Sequence, residues 1–290
     1  MMSSAPDSLS PDLLERLRGI AHVALDMDGT IYQGSTLFPC TLPFLAQMRE
    51  LGIAYTFLTN NPSKSAADYL THLGKMGVSA TADQLYTSVQ ATIDGLRAQF
   101  PAVQRLFVLG TASMVSQFEE SGFVLTTDDP NDPPDAVVVG FDLTLNYARV
   151  CRAAWWIKQG RPFIATNPDL VCPTDQPTVL VDCGAICAML EKATGRGPDL
   201  VAGKPDPAML SGILARHHLQ PDQIAMVGDR IYTDILMAHR AKAFGVLVLS
   251  GEATQDDVAR VETPPHLVVP SLAEFGELLA RSRDGEMARE

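Results

Sequence analysis

The sequence contains few cysteines, and they form no metal-binding or disulfide pattern. Five cysteines are scattered along 290 residues, and no two form a C-x-x-C pair. An odd, scattered set argues against both a disulfide framework and a zinc ribbon. Cys183 and Cys187 are spaced to share one face of a helix, but small buried thiols are common, so the sequence leaves their role open. We expect reduced thiols and a cytoplasmic protein.

Long apolar runs are missing as well. No run reaches the roughly 18 apolar residues that a membrane-spanning helix needs. Residues 1–10 are polar and contain no apolar signal-peptide core. We therefore expect a soluble protein with no signal peptide and no membrane partner.

Positive charge is scarce. The chain has 22 Lys and Arg residues against 34 Asp and Glu residues, which gives a formal net charge of −12. This balance argues against nucleic acid as a partner, because such binding depends on neutralising phosphates. An acidic chain that acts on a phosphate ester would need positive charge placed locally.

What the sequence does contain is a regular alternation of strand-like and helix-like segments. Strands are predicted at residues 22–26, 53–59, 105–109, 136–141, 162–166, 223–228, 245–249 and 267–269. A short amphipathic segment at residues 11–19 precedes them, and helices are predicted at residues 41–51, 65–76, 88–100, 112–121, 146–159, 185–194, 207–217 and 233–241. Alternation of this kind predicts an α/β protein with a Rossmann-like, doubly wound parallel sheet.

Polar strand ends fall in two groups, one near each end of the chain. About 140 residues separate them and show their own strand and helix pattern, long enough to bury a separate core. We therefore predict a core domain formed by residues 1–83 and 198–290, with an α/β cap domain inserted at residues 84–197.

Two carboxylates mark the end of the first predicted strand, in the segment Asp26-Met-Asp28-Gly-Thr30. Ligand sites of open α/β sheets lie outside the carboxyl ends of the strands. Carboxylates this close repel each other unless a cation or a proton lies between them. The pair is typical of a metal site or of acid–base chemistry, although a solvated turn would also suit Asp and Gly.

Other strand ends add phosphate-binding and acidic groups. Thr59, Asn60 and Asn61 end the second core strand with a hydroxyl and two amides, which can donate hydrogen bonds to phosphate oxygens. Lys204 lies just before a predicted helix. Asp229 ends a later strand and is followed by Asp234 at the start of another helix.

In this order, the motifs D-x-D-G-T, Thr, Lys and G-D-x-x-x-x-D resemble those of the haloacid dehalogenase superfamily. The segments around Asp142, Thr166-Asn-Pro-Asp169 and Cys183-Gly-Ala185 resemble its NagD-like, 4-nitrophenylphosphatase branch, which carries a large cap. The resemblance runs nearly the whole length of the chain.

The resemblance implies a phosphatase of small phosphate monoesters that forms an aspartyl-phosphate. Asp26 would be the nucleophile and Asp28 the general acid and base. Thr59 and Asn60 would hold phosphoryl oxygens, and Asn61 is a further candidate for this role. Lys204 would stabilise charge on the phosphate and the nucleophile.

The same resemblance implies Mg²⁺, bound by Asp26, Asp229 and the main-chain carbonyl of Asp28, with Asp234 supporting the site indirectly. Charge counting also favours a cation. Asp26, Asp28, Asp229 and Asp234 against Lys204 sum to about −3 if all are ionised, and a phosphate adds about −2. Mg²⁺ prefers carboxylates, phosphate oxygens and water.

Two alternatives stay open. A hydrolytic dehalogenase on the same fold would need neither the metal ligands nor a leaving-group acid, so Asp28 argues against it. A catalytically silent module that binds phosphometabolites is the second, because function depends on the site and not on the fold.

The sequence does not select a substrate. Cap loops near Asp142, residues 167–169 and residues 182–184 are candidate specificity elements, although plain turn roles suit them equally. Trp155 and Trp156 lie on a predicted cap helix, where we expect one of them to face the core. The pair is also a candidate anchor for a homodimer formed through the cap.

Overall fold

A computed structural model describes residues 10–61, 65–172 and 177–287 of the chain. The chain divides into two compact units: Met1–Phe57 with Leu214–Glu290, and Leu58–Ile213. None of the helices in the described ranges is long and apolar enough to cross a membrane.

Fifteen strands are present in the described part of the chain. They are β1 (His22–Asp26), β2 (Tyr32–Gln33), β3 (Thr36–Leu37), β4 (Ala54–Thr59), β5 (Leu85–Thr87), β6 (Arg105–Leu109), β7 (Val124–Leu125), β8 (Ala136–Val139), β9 (Phe163–Ala165), β10 (Val171–Cys172), β11 (Leu180–Val181), β12 (Leu200–Val201), β13 (Ile224–Gly228), β14 (Phe244–Val248) and β15 (Leu267–Val269).

The α-helices are α1 (Pro11–Gly19), α2 (Thr41–Glu50), α3 (Ala66–Lys75), α4 (Ser88–Gln99), α5 (Ala112–Glu120), α6 (Tyr147–Lys158), α7 (Cys183–Thr194), α8 (Ala208–His217), α9 (Leu236–Arg240), α10 (Gln255–Val258) and α11 (Leu272–Met287). Short 3₁₀ turns cover Ala82–Gln84 and Pro221–Gln223, and a π-helical turn covers Ile231–Ile235.

The larger sheet has six strands in the order β15-β14-β13-β1-β4-β5. β1 pairs in parallel with β13, β13 with β14, and β14 with β15. All five residues of β1, β13 and β14 are buried, as expected for parallel strands covered on both faces. The predicted α/β class with a parallel sheet is confirmed.

The second unit contains its own parallel sheet, in the order β12-β9-β8-β6-β7. Alternate residues of its central strands enter two different hydrophobic clusters. Leu106 and Val108 of β6 pack in one cluster, whereas Phe107 and Leu109 pack in the other. This alternation shows that the sheet buries both faces.

The main helical difference from the sequence prediction lies after β13. A single helix is predicted at residues 233–241, but the structure has the π-helical turn followed by the short α9. The pattern of apolar residues could not distinguish the i→i+5 hydrogen bonds of a π-helix from the i→i+4 bonds of an α-helix. The two-residue strands were also not predicted, since such short strands carry little periodic signal. The C-terminal α11 was not predicted either.

Trp155 and Trp156 differ in exposure, which agrees with the expectation that one of them faces the core. Trp156 is buried with 4% of its surface exposed, while Trp155 is 40% exposed and lies beside the guanidinium of Arg152. Cys183 and Cys187 are free and buried, with their Sγ atoms 3.8 Å apart. The five cysteines are all unpaired by disulfides.

His22, the first residue of β1, is buried beside the partly buried His217. His22 Nε2 is 2.9 Å from Thr56 Oγ1, and its ring centroid is 4.5 Å from that of His217. Burial, and then the neighbouring His217, lower the pKa of His22 from 6.5 to about 4. The folded protein therefore keeps His22 neutral under conditions in which the unfolded chain protonates it.

We expect stability to fall as the pH drops from about 6.5 towards 4, because the unfolded state then binds more protons than the folded state. At pH 4 the loss from His22 alone is of the order of 3 kcal/mol. His22→Gln should give a shallower decline in chemical denaturation between pH 7 and 4.5. The exposed neighbour His218 has a φ of +55° that asparagine tolerates, so His218→Asn is the matched control. Equal slopes for wild type and His22→Gln would contradict the assignment.

Candidate active site

Three buried carboxylates converge in the first unit. Asp26 ends β1, Asp229 follows β13, and Asp234 lies in the π-helical turn. Each offers a carboxylate oxygen, and these oxygens all lie within 4.8 Å of one another. Their exposed fractions are 8%, 2% and 0%. The structure therefore brings these three predicted residues together.

Asp229 is held by main-chain donors from the loop after β14. Its Oδ2 accepts a 2.7 Å hydrogen bond from Glu252 N, and its carbonyl accepts one from Ala253 N at 3.1 Å. Its Oδ1 is buried and makes no hydrogen bond to any of the described residues. Burial first, and then Asp26 and Asp234, raise the pKa of Asp229 to about 7. A buried carboxylate oxygen without a hydrogen bond is suited to binding a cation.

Asp234 is brought back towards Asp229 by the local backbone. The wider π-helical turn lets Asp234 Oδ2 accept a 3.1 Å hydrogen bond from Arg230 N. A Cβ added at Gly228 would overlap the Asp234 carboxyl group, so glycine is required there. The turn and the glycine together allow two acids, five positions apart, to share one site.

The turn after β1 sets Asp26 and Asp28 apart. Thr30 Oγ1 donates to Asp26 Oδ2 at 3.4 Å, whereas the side chain of Asp28 is exposed. Met27 O accepts hydrogen bonds from the main-chain N–H groups of Thr30 and Ile31, which closes the turn. Asp28 is therefore placed where its carboxyl group can meet a ligand from solvent, while Asp26 lies within the acidic cluster.

Sequence reasoning missed two glycines that line the cluster. A Cβ at Gly29 or at Gly251 would overlap the Asp229 carboxylate. Gly29 also has a φ of +86°, which favours glycine. Ser250 Oγ donates to Gly29 O at 2.8 Å and joins the two loops. The available signal was that residues 250 and 251 directly follow the strand predicted at 245–249, and so lie at the same sheet edge as Asp26.

Arg230 was also missed, although it directly follows Asp229. Its guanidinium forms an ion pair with Glu252, with Nε 2.9 Å from Oε2. Burial lowers the pKa of Arg230, but nearby Tyr232, Asp26, Asp229 and Glu252 raise it by more. The arginine is therefore a permanent positive charge beside the acidic cluster.

The remaining predicted residues lie in the second unit. Thr59, Asn60 and Lys204 are buried, at 8%, 8% and 4% exposure. Thr59 Oγ1 accepts a 3.1 Å hydrogen bond from Asn61 N, and a hydroxyl that accepts a bond keeps its own hydrogen to donate. Asn61 Nδ2 lies 3.6 Å from Cys172 Sγ. Asn60 is bound to the main chain of Lys204 at both ends of its amide.

Two candidate specificity loops have clear structural roles. Asp142 Oδ1 accepts hydrogen bonds from Thr144 N and Oγ1, which closes a turn. Asp182 caps α7 by accepting from Cys183 N at 2.6 Å. Burial, opposed in part by that bond, raises the pKa of Asp182 to about 6. A Cβ at Gly184 would overlap Pro168 O, so this glycine allows a close loop contact.

Comparison with known proteins identifies the family to which the chain belongs. The model of the haloacid dehalogenase-like hydrolases matches residues 23–124, and a second HAD-hydrolase-like model matches residues 201–275. The ribonucleotide monophosphatase NagD of Escherichia coli K12 is 34% identical over 256 residues, which cover 88% of this chain and 98% of that protein.

Solved structures give the same result. The 4-nitrophenylphosphatase of Thermotoga maritima superposes with a TM-score of 0.85 at 39% identity, covering 90% of this chain and 98% of that chain. The glycerol phosphate phosphatase of Mycobacterium tuberculosis, in complex with magnesium, superposes with a TM-score of 0.82 at 30% identity, covering 90% and 78%. The chain belongs to the haloacid dehalogenase-like hydrolases and, within them, to the NagD-like phosphatases.

Proposed function

We propose that this phosphoric monoester hydrolase works through Asp26 and Asp28. An Asp26 carboxylate oxygen attacks phosphorus, the bond from phosphorus to the leaving oxygen breaks, and Asp28 gives that oxygen a proton. Asp28 then takes a proton from water, which attacks the aspartyl-phosphate and releases phosphate and free Asp26. Thr59 and Lys204 are assigned to the phosphoryl oxygens, and Asn61 is retained as a candidate for the same role.

The observation that carries the proposal is the convergence of Asp26, Asp229 and Asp234. Three buried carboxylates within 4.8 Å, one with an oxygen lacking a hydrogen bond, form a site for a hard cation. The donor set is all oxygen, which suits Mg²⁺ and argues against a softer metal. Asp26 and Asp229 would hold Mg²⁺ directly, with the main-chain carbonyl of Asp28, and Asp234 would support them. Bound there, Mg²⁺ would neutralise charge on the phosphate.

The substrate class is a small phosphate monoester, with the choice among such esters set by a cap at residues 84–197. Residues 1–83 and 198–290 would form the catalytic core. Free cysteines support a cytoplasmic location.

A homodimer through the cap is supported by the 40% exposure of Trp155. Sedimentation of the wild type, compared with Trp155→Ala, tests this proposal. A single monomeric species in wild type would contradict it.

We expect 4-nitrophenyl phosphate to be hydrolysed with Mg²⁺ and not in excess EDTA. Ca²⁺ should compete with Mg²⁺ and inhibit, because it accepts longer and bidentate carboxylate contacts that would occupy both oxygens of Asp26. Asp229→Ala should weaken activation by Mg²⁺. The measurement is initial rate against metal concentration, followed by a screen of about a hundred phosphometabolites.

Each alternative predicts a different result. A silent binding module would show no turnover with any ester. A hydrolytic dehalogenase would release halide from a 2-haloacid in EDTA. Full phosphatase activity in EDTA, or with Ca²⁺ as the only divalent ion, would show that the acidic cluster does not hold the proposed metal.

Gly251→Ala should weaken the metal site without a change in charge. The added Cβ would displace the Asp229 carboxylate from Glu252 N, because there is no room between them. Loss of a supporting contact of this kind typically costs 10- to 100-fold in metal affinity, so the Mg²⁺ concentration for half-maximal activity should rise on about that scale. Gly74→Ala on α3 is the matched control, since a Cβ there meets nothing within 4 Å. Identical Mg²⁺ curves for wild type and Gly251→Ala would contradict the steric argument.

A further inference from the structure

The side-chain amide of Asn60 binds both main-chain polar groups of a single residue, Lys204. Asn60 Oδ1 accepts a 2.6 Å hydrogen bond from Lys204 N, and Asn60 Nδ2 donates to Lys204 O at 3.0 Å. These two groups belong to the two peptide planes that flank the Lys204 Cα atom. Fixing both planes fixes the direction in which the Lys204 side chain leaves the backbone.

The Asn60 side-chain amide can take only one orientation, because hydrogen-bond acceptors lie on one side of it and a donor lies on the other. The second hydrogen of Asn60 Nδ2 is donated to Asp169 Oδ2 at 3.1 Å, so two acceptors face the nitrogen and an N–H group faces the oxygen. Turning the amide over would place oxygen against oxygen and N–H against N–H. Both amide hydrogens are therefore committed within the protein.

The backbone at Asn60 is also held. Its carbonyl accepts hydrogen bonds from Ser88 Oγ and Asn167 Nδ2, each at 2.8 Å. On the other side of the contact, Gly203 has a φ of +79°, and a Cβ there would lie 2.8 Å from Asn60 Oδ1. The glycine before the lysine thus allows the close approach of Asn60 to the Lys204 backbone.

We propose that Asn60 is a positioning residue that orients Lys204, and that its side chain is not a phosphate ligand. This inference rests on the proposed function, in which Lys204 stabilises charge on the transferred phosphate. Lys204 is only 4% exposed, so a wrong starting direction cannot be corrected by swinging the side chain through solvent. A misplacement of about 1 Å in a group of this kind can cost on the order of 100-fold in rate.

A double-mutant cycle tests the inference with 4-nitrophenyl phosphate, in the full-length chain with Mg²⁺. Asn60→Ala should lower kcat by about 10- to 100-fold in the wild-type background. In a Lys204→Met background the same change should alter kcat, and the inhibition constant of inorganic phosphate, by less than about twofold. Asn131→Ala, in an exposed loop, is the control for both backgrounds.

A second measurement does not depend on activity. Hydrogen exchange at the Lys204 amide, followed in a peptide that spans residue 204, should be faster in Asn60→Ala than in wild type and Asn131→Ala. Unchanged exchange would overturn the inference. It would also be overturned if Asn60→Ala slowed the Lys204→Met variant by the same factor as it slows wild type, which is the behaviour of an independent phosphate ligand. Failure of the proposed function is distinguishable, because wild type would then be no faster than Asp26→Asn.

Discussion

Asp26→Asn is expected to lower phosphatase activity by at least about 10³-fold while the protein stays folded. An amide cannot attack phosphorus, so no aspartyl-phosphate forms. The same change removes one charge from three carboxylates that lie within 4.8 Å of one another. The melting temperature in EDTA should therefore equal or exceed that of wild type, as is common when a strained functional site is relieved.

Asp83→Asn, at an exposed position, is the control for this substitution and should keep full activity. Deamidation of Asp26→Asn would restore the carboxylate, so mass spectrometry must accompany the assay. A deamidation-free preparation with more than a small fraction of wild-type kcat would refute the assignment of Asp26 as nucleophile.

Asp28→Asn should damage turnover in a way that depends on the leaving group. An alkoxide needs a proton as it leaves, whereas 4-nitrophenolate departs without one. General acid catalysis typically supplies 10²- to 10⁴-fold, so an alkyl phosphate should lose more than 4-nitrophenyl phosphate by a factor on about that scale. The exposed side chain of Asp28 lies outside the group of three acids, so the fold should be unaffected.

The comparison of kcat for the two esters, each with wild type and Asp28→Asn, measures this factor directly. A burst of 4-nitrophenol in the variant would show that the first step survives while hydrolysis of the aspartyl-phosphate is slow. Equal losses for both esters would mean that Asp28 is not the leaving-group acid.

The buried parallel strands were the features most readily predicted from the sequence. β1, β6 and β15 begin and end where their apolar runs predict, because each run is bounded by polar or turn residues. The position of Asp26 and Asp229 followed from the same signal, since parallel strands end at one edge of a sheet. The two-residue strands, such as β12, escaped prediction because they are too short for a period to be visible.

Contacts within the site could not be predicted in the same way. Residue types identify Asn60 as a hydrogen-bonding group, but only the structure shows that its amide is committed to Lys204 and Asp169. Likewise, the π-helical turn that returns Asp234 to the cluster depends on a local backbone choice that the apolar pattern does not report. The first feature arises from packing between segments far apart in sequence, and the second from local backbone geometry.

Whether a glycine near Asp229 can be replaced depends on the residue present at position 229. The obstacle to alanine at Gly251 is the carboxylate of Asp229 itself, so it exists only while that side chain is present. In a descendant chain that had lost Asp229, Gly251 would be free to vary, whereas Gly29 would remain restricted by its φ of +86°. The order in which mutations accumulate therefore decides which of them are tolerated, and a catalytically dead relative should have lost Gly251 before Gly29.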